Sequence, residues 1–312
     1  MNLEAEYRKG YLVSTEMKKV WNVQITLLKR LLEVCEKYNL RIWGDGGTML
    51  GTVREHGYIP WDDDIDMVLL RPDYDKLVQV AQKEFSAPFF FQCAYTDKNY
   101  VNGHSQLRMD GTTAILPPQM LMKVPYHLGI FIDIFPYDAV PDDPEEGRRQ
   151  LKDRESILSD LKRISSRWDI LHPIRSTFDC MRRPHLLKVY EDFEYLFRKH
   201  RIDDNRFVSC YSFQVNPDHF LRDKHWYDET VYLPFEDVMM PLPKDYDKIL
   251  TLQYGDYLTP VKSPSYHGSF WRLTADKSYQ ETLSENKKEI RRMRLNHLKD
   301  RVLRILHIQE SV

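Results

Sequence analysis

Asp62, Asp64 and Asp66 alternate through the stretch Trp61-Asp62-Asp63-Asp64-Ile65-Asp66-Met67-Val68-Leu69-Leu70. Read as a strand, whose side chains alternate between faces, this sets the three carboxylates on one side and Asp63, Ile65 and Met67 on the other. Carboxylates stacked so closely repel one another. Either their pKa values rise or a cation sits among them, and an all-oxygen set suits Mg²⁺ or Mn²⁺ rather than zinc. A solvated acidic turn is the plain alternative. Against it, these aspartates interleave with apolar residues and run into Leu69-Leu70, the pattern of a half-buried strand on which charge is costly.

Just upstream, Gly44, Gly46 and Gly47 punctuate a turn between a short strand at 41–44 and a helix over residues 48–56. A helix start offers unpaired N–H groups and the positive end of the peptide dipole, which is where a phosphate binds. Aspartates and turn together describe a metal–phosphate site. Asp64 and Asp66 are the expected metal ligands, and Asp62 is a further ligand or a general base. The N–H groups of Gly46, Gly47 and Thr48 face a diphosphate, with Arg54 in reach of a phosphate oxygen. A third ligand comes from the apolar run at 127–136, where Asp133 interrupts His-Leu-Gly-Ile-Phe-Ile and Ile-Phe-Pro. An uncompensated charge on so apolar a strand costs several kcal/mol, so Asp133 is expected to bind the metal unless backbone N–H groups hold it. His127, at the start of that strand, reads either as a substrate contact or as a structural residue.

These residues need an element order that brings them together. Met17, Val20, Ile25, Leu28, Leu31, Leu32 and Cys35 recur at helical spacing over 14–39, with Ser14 or Thr15 as N-cap. A helix follows Pro72 over 73–85, and residues 89–93 read as a strand. Residues 105–109 and 112–116 read as a hairpin turning at Asp110-Gly111. Helical spacing then dominates at 145–168 and about 183–199, with a basic cluster (Arg175, Arg182, Arg183, His185, Lys188) on what reads as a solvated face. The predicted fold class is therefore α/β (α+β), a mixed sheet core flanked by helices. The predicted division is a catalytic core at 1–140, a helical insert or lid at 141–230, and a portion at 231–312 that completes the core. Its last helix, 287–308, is basic, and its apolar residues from Ile290 to Leu306 predict one sticky side. Such a helix either docks on the core or lies on an anionic membrane.

The motif GGTMLGTVREHGYIPWDDDIDMVL resembles the core of the LicD family, the phosphorylcholine transferases related to fukutin and fukutin-related protein, with a nucleotidyltransferase-like fold. Two further stretches resemble the family. In Leu107-Arg108 followed by Thr112-Thr113, Arg108 is expected either to reach a phosphate or to be a plain strand arginine. After the core come Pro243, Tyr246, Leu250 and then Tyr254-Gly255-Asp256-Tyr257. The resemblance implies a CDP-choline donor and a cell-surface glycan acceptor, of teichoic acid or lipopolysaccharide type, in free or lipid-linked form. A choline ammonium favours aromatic faces, for which Trp61, Tyr126, Tyr254, Tyr257 and Trp271 are candidates. Other readings are transfer of ribitol or glycerol phosphate from a CDP carrier, nucleotidyl transfer from a nucleoside triphosphate, and a non-catalytic scaffold.

Composition bounds the partners. Lys and Arg number 45 against 47 Asp and Glu, a net charge of −2, which gives no pull toward nucleic acid. Cys35, Cys93, Cys180 and Cys210 are far apart in sequence and read as reduced thiols, so a cytoplasmic location is expected, with peripheral membrane contact through the last helix as its variant.

Overall fold

The computed structural model describes residues 1–97, 100, 102–117, 119, 126–165, 183–211, 221–261 and 270–310. Cys180, Arg175, Arg182 and the predicted helix end at 166–168 lie outside them. Of the basic cluster, only the side chain of Lys188 is described; it is exposed and paired with Asp192 at 2.5 Å. Cys35, Cys93 and Cys210 are buried free thiols.

A ribbon of β1 (Glu6–Arg8) and β2 (Tyr11–Val13) leads into α1 (Thr15–Lys37), where the Ser14 hydroxyl accepts from the Met17 N–H at 3.1 Å as N-cap. Of the predicted stripe, Val20, Ile25, Leu28, Leu31 and Cys35 are buried and Met17 and Leu32 half-buried, and Trp21 beside them is fully enclosed. Then come β3 (Trp43–Gly44), α2 (Gly46–Glu55), β4 (Asp66–Leu70), α3 (Arg71–Glu84), β5 (Phe89–Gln92), β6 (Ser105–Met109), β7 (Thr113–Ile115) and β8 (Phe131–Val140). The long strand β8 is the spine. On one side β4 runs parallel to it, with β3 antiparallel beyond. Its other edge is shared: β6, backed by β5, pairs antiparallel with residues 131–134, and β9 (Phe207–Ser209) pairs with 138–140, with β10 (Arg222–Asp223) outside β9. This is the mixed sheet of an α/β fold. Packed by α1 and α3, β8 is buried along nearly all its length, which is why its sequence reads as continuous apolar rather than alternating.

Two helices, α4 (Pro144–Ser165) and α5 (Arg183–Arg198), occupy the predicted insert. They share a satellite core of Tyr190, Phe193, Phe197, Tyr211 and Ala94. A buried ion pair, Arg71 to Asp138 at 2.5 Å, ties the start of α3 to β8 beneath them. In the last third, the hairpin of β11 (Thr230–Phe235) and β12 (Val238–Pro243) lays Met240 and Leu242 over Gly44 of β3. After it follow α6 (Tyr246–Tyr254), β13 (Arg272–Thr274), α7 (Tyr279–Glu285) and α8 (Lys287–Glu310). Among the described residues no helix is long and apolar enough to cross a membrane.

Three expectations change. The turn at Asp110-Gly111 is present, with Gly111 at φ +74°, but its arms do not pair: β6 joins the central sheet and β7 pairs with β13. A turn dipeptide fixes the reversal, while pairing is decided by which edges the fold leaves open. The aspartate stretch is not a strand until Asp66, since residues 62–65 form an extended approach to β4. Finally, the apolar residues of α8 do not share one side. Ile290 is buried and Met293 packs beside it, whereas Leu295 and Val302, about 140° and 120° around the helix from Ile290, are exposed.

The return from α2 to the aspartates depends on a close approach. A Cβ on Gly51 would stand 2.5 Å from the Gly57 carbonyl and 3.3 Å from the Ile59 nitrogen, both rigid backbone. Gly51→Ala is expected to lower stability by about 2 kcal/mol, read as an earlier urea midpoint at unchanged slope.

Candidate active site

The carboxylates meet at the head of β4. Parallel pairing with β8 sets Asp66 directly beside Asp133. Asp62, Asp63 and Asp64 each bring a carboxylate oxygen to within 4.8 Å of the other two. A period of two would point Asp63 away, but that period holds only within a strand ladder, and residues 62–65 lie outside it. What holds that approach is α1. Trp21 donates to the Asp62 carbonyl at 3.0 Å, and the Gln24 amide donates to the carbonyls of Asp63 at 2.8 Å and Phe131 at 3.3 Å. Gln24 itself is buried and anchored by the Tyr58 hydroxyl at 3.0 Å. Gln24 was legible as a polar residue on the buried face of an amphipathic helix, and sequence reasoning passed over it.

The glycine turn abuts the acids. Gly46 takes φ +52°, and a Cβ on Gly47 would fall 2.8 Å from Asp62 Oδ2. The helix begins two residues earlier than predicted, at Gly46, so the N–H groups of Gly46, Gly47 and Thr48 all belong to its first turn, where no intrahelical acceptor exists. The Thr48 side chain acts elsewhere. Its hydroxyl accepts from the Asp66 N–H at 2.9 Å, locking α2 to β4.

Both arginines engage protein groups in this arrangement. Arg54 donates to Glu55 at 2.7 Å and to the Tyr257 carbonyl at 3.1 Å, tying α2 to the segment after α6. Arg108 is buried. It donates to the Gln92 and Gln106 side chains and to the Gly129 carbonyl at 2.6 Å, and stacks 4.5 Å over Phe131. Its effect on the site is indirect. Gln106, oriented by Arg108, donates to Asp133 Oδ1 at 2.7 Å, and His104 Nε2 sits 3.0 Å from the same oxygen. Two side chains, Gln106 and His104, therefore meet the Asp133 carboxylate. His104 and Gln106 carried no sequence signal, because a loop residue and a strand residue meet there only through the β6–β8 pairing. His127 is structural: it bonds Asp110 at 2.9 Å and the Gly129 N–H at 3.1 Å, and stacks on Phe90.

Asp45, the residue ahead of the helix, is a further acid at the site. It accepts from the Tyr137 hydroxyl at 2.7 Å through Oδ2, makes no capping bond, and leaves Oδ1 buried without a hydrogen-bond partner. Its charge acts on Asp66 and on Tyr254. Arg222, fully buried on β10, reaches Gln253 of α6 at 2.9 Å and belongs to the same electrostatic neighbourhood. Of the aromatic candidates, Tyr254 is at the site, its hydroxyl 3.9 Å from the Gly46 Cβ position, and Trp61 adjoins Asp62 and packs on Tyr11. Tyr257 is engaged by Asp247, Trp271 by Glu289, and Tyr126 packs on Tyr100.

Electrostatically the cluster is loaded. Burial, then the charge of Asp64 and a hydrogen bond to it, push Asp62 up to about 8. Burial and the charges of Asp64, Asp133, Asp45 and Asp62 push Asp66 well above the carboxylate range. An all-carboxylate set, a buried orphan oxygen on Asp45 and mutual repulsion together fit a hard divalent cation.

Residues 39–143, which run from β3 through β8 and include every one of these acids, match the family model described as LicD/FKTN/FKRP, nucleotidyltransferase domain. This stretch is similar to a LicD-family nucleotidyltransferase domain. The lipopolysaccharide cholinephosphotransferase LicD of Haemophilus influenzae is 26% identical over 248 residues, spanning 76% of this chain and 89% of that protein. Uncharacterized proteins of Rickettsia prowazekii and Rickettsia typhi are 39% identical over 70 residues and 36% identical over 73, matches confined to 22% and 23% of this chain. The similarity thus extends past the matched domain with the Haemophilus relative and stays local with the Rickettsia proteins.

Two outcomes follow from the site. Gly47→Ala is expected to displace the Asp62 carboxylate while leaving the α2 backbone in place. Mg²⁺ affinity by calorimetry should fall at least about tenfold with the melting temperature nearly unchanged. For pH, the unfolded chain releases the Asp62 proton near pH 4 and the folded chain holds it to about 8. Between those values the folded state binds more protons, so in a chelator its stability falls as pH rises and levels off above the folded value. Thermal melts should show that fall, Asp62→Asn should lessen it while the raised Asp66 keeps part of it, and Mg²⁺ should restore stability most at the alkaline end.

Proposed function

We propose that the protein transfers phosphocholine from CDP-choline to a hydroxyl of a cell-surface glycan of lipopolysaccharide or teichoic acid type, with Mg²⁺ or Mn²⁺ held by Asp64, Asp66 and Asp133. It is a transferase of the LicD type, and that activity is carried over from the Haemophilus relative's cholinephosphotransferase, which is similar over most of both chains. The single observation that carries the reading is the convergence of the acids at 62–66 and 133 on the open N-terminus of α2. A nucleoside diphosphate ester needs those two parts, a place for charge-neutralising cations and a cradle for phosphate oxygens.

When bound, the cation neutralises the carboxylates and the developing charge on the transferred phosphoryl group. The N–H groups of Gly46, Gly47 and Thr48 bind the diphosphate and hold its scissile bond in line with the acceptor. Asp62, set against the start of α2 at Gly47, takes the proton of the acceptor hydroxyl. The acceptor oxygen forms the new bond to the phosphocholine phosphorus as the bond to the CMP oxygen breaks, and CMP leaves with the electron pair. Thr48 fixes Asp66, while Gln106 and His104 fix Asp133, so that the acids keep their spacing through the step. The Tyr254 ring, at the same mouth, is the aromatic surface nearest the cradle for a choline ammonium.

The test is CMP release from CDP-choline in the presence of choline-free lipopolysaccharide or teichoic acid. The expected result is turnover that needs a divalent cation and falls at least about 100-fold in Asp64→Ala and in Asp66→Ala. Preference for CDP-ribitol or CDP-glycerol would move the reading to those donors. Pyrophosphate release from CTP without CMP would replace it with nucleotidyl transfer, and binding without turnover of any donor would leave a scaffold.

A further inference from the structure

The helix α8 has a face that nothing among the described residues covers. Lys288, Arg292, Leu295, Lys299 and Val302 follow one another at steps of three and four residues, and Arg291 lies three residues after Lys288 and four before Leu295, so together they form one stripe along the helix. All are exposed; Leu295 is 51% accessible, Val302 45%, and the neighbouring Leu303 54%. The opposite side is where the helix is held. Ile290 and Met293 pack on Trp271, Tyr279 and Leu283, and Glu289 bonds Trp271 at 3.1 Å and Arg272 at 2.9 Å. Glu289 is therefore drawn away from the stripe, and the four cations of the stripe form no ion pair among the described residues.

We infer that this face of α8 is a docking surface for an anionic lipid bilayer. Charge is the first argument. The whole chain is near neutral, so four unpaired cations on one stripe are a local feature and not an overflow of a basic protein. Long basic side chains on such a surface are attracted to acidic headgroups within a Debye length. The second argument is the aliphatic side chains set between the cations. A polyanion such as nucleic acid offers Leu295, Val302 and Leu303 nothing to enter, whereas a headgroup–acyl boundary accepts both kinds of residue from one helix lying flat. The helix lies at the far end of the chain from the acids at 62–66, so the surface does not depend on which group the enzyme transfers.

The experiment uses the full chain in a vesicle co-sedimentation assay, with vesicles of phosphatidylcholine alone and of phosphatidylcholine containing phosphatidylglycerol. The expected result is binding to the anionic vesicles only, weakened by added salt. Binding should weaken at least about 25-fold in the double variant Arg291→Glu, Arg292→Glu, since each basic residue near a charged leaflet contributes roughly fivefold. Leu295→Ser with Val302→Ser should weaken it about tenfold at constant charge. Both variants change exposed side chains only, so their circular dichroism and any CMP release with a soluble acceptor should match the parent. The inference is overturned if anionic vesicles do not bind, or if both variants bind as the parent does. Equal binding of double-stranded DNA with loss only in the charge variant would make the face a polyanion site instead.

Discussion

The parallel register of β4 against β8 is the constraint on which the site depends, because it places Asp66 beside Asp133 and so creates a repulsion the rest of the fold has to hold in place. Like charges at neighbouring strand positions destabilise a sheet. Each acid here is fastened from outside the pair. Asp66 is held through its N–H by Thr48, and Asp133 through its carboxylate by Gln106 and His104. The carbonyls of Asp62 and Asp63 are held by Trp21 and Gln24. Unfavourable charge is thus confined to carboxylate oxygens while the backbone under them is rigid. Such a geometry stores repulsion and releases it when a cation arrives.

Much of this was legible. The chemistry-bearing types, their order and the helix start could be read from Gly46-Gly47-Thr48 and from aspartates spaced among apolar residues, because turn chemistry and periodicity are local. The α1 stripe and its Ser14 cap were also local and came through intact. What failed was the extension of period two into residues 62–65. There the backbone is pinned by side chains of α1 some forty residues earlier, and Asp63 turns toward its neighbours. The partners of the arginines were not local either. Arg54 donates to a carbonyl of the later chain, and Arg108 to glutamines of β5 and β6.

Residues that sequence reasoning missed share one property, a partner distant in the chain. Asp45 drew no reading from the sequence, and only the fold reveals that Tyr137 donates to one oxygen and that the other is buried without a partner. Arg222 sits in the stretch expected to be a helical lid, yet it lies on a strand that extends the central sheet and reaches α6. The insert is therefore not only a cover. Its last strands are stitched to β8, the same strand that supplies Asp133.

The site is consequently assembled late. The acids and the phosphate cradle come from residues 45–66 and 133, but Tyr254 at its mouth, the Arg54 anchor at Tyr257 and the Met240–Leu242 cover over Gly44 all come from the last third of the chain. A divalent cation binds tightly only to acids already held at fixed spacing, and that spacing requires α1 and α2 both packed. One element spans both parts: Arg54, which meets the last third of the chain at Tyr257, sits at the end of α2, and Gly46 and Gly47, which abut the acids, sit at its start. The helix that presents its N-terminus to the carboxylates is therefore the same helix that the last third of the chain holds in place.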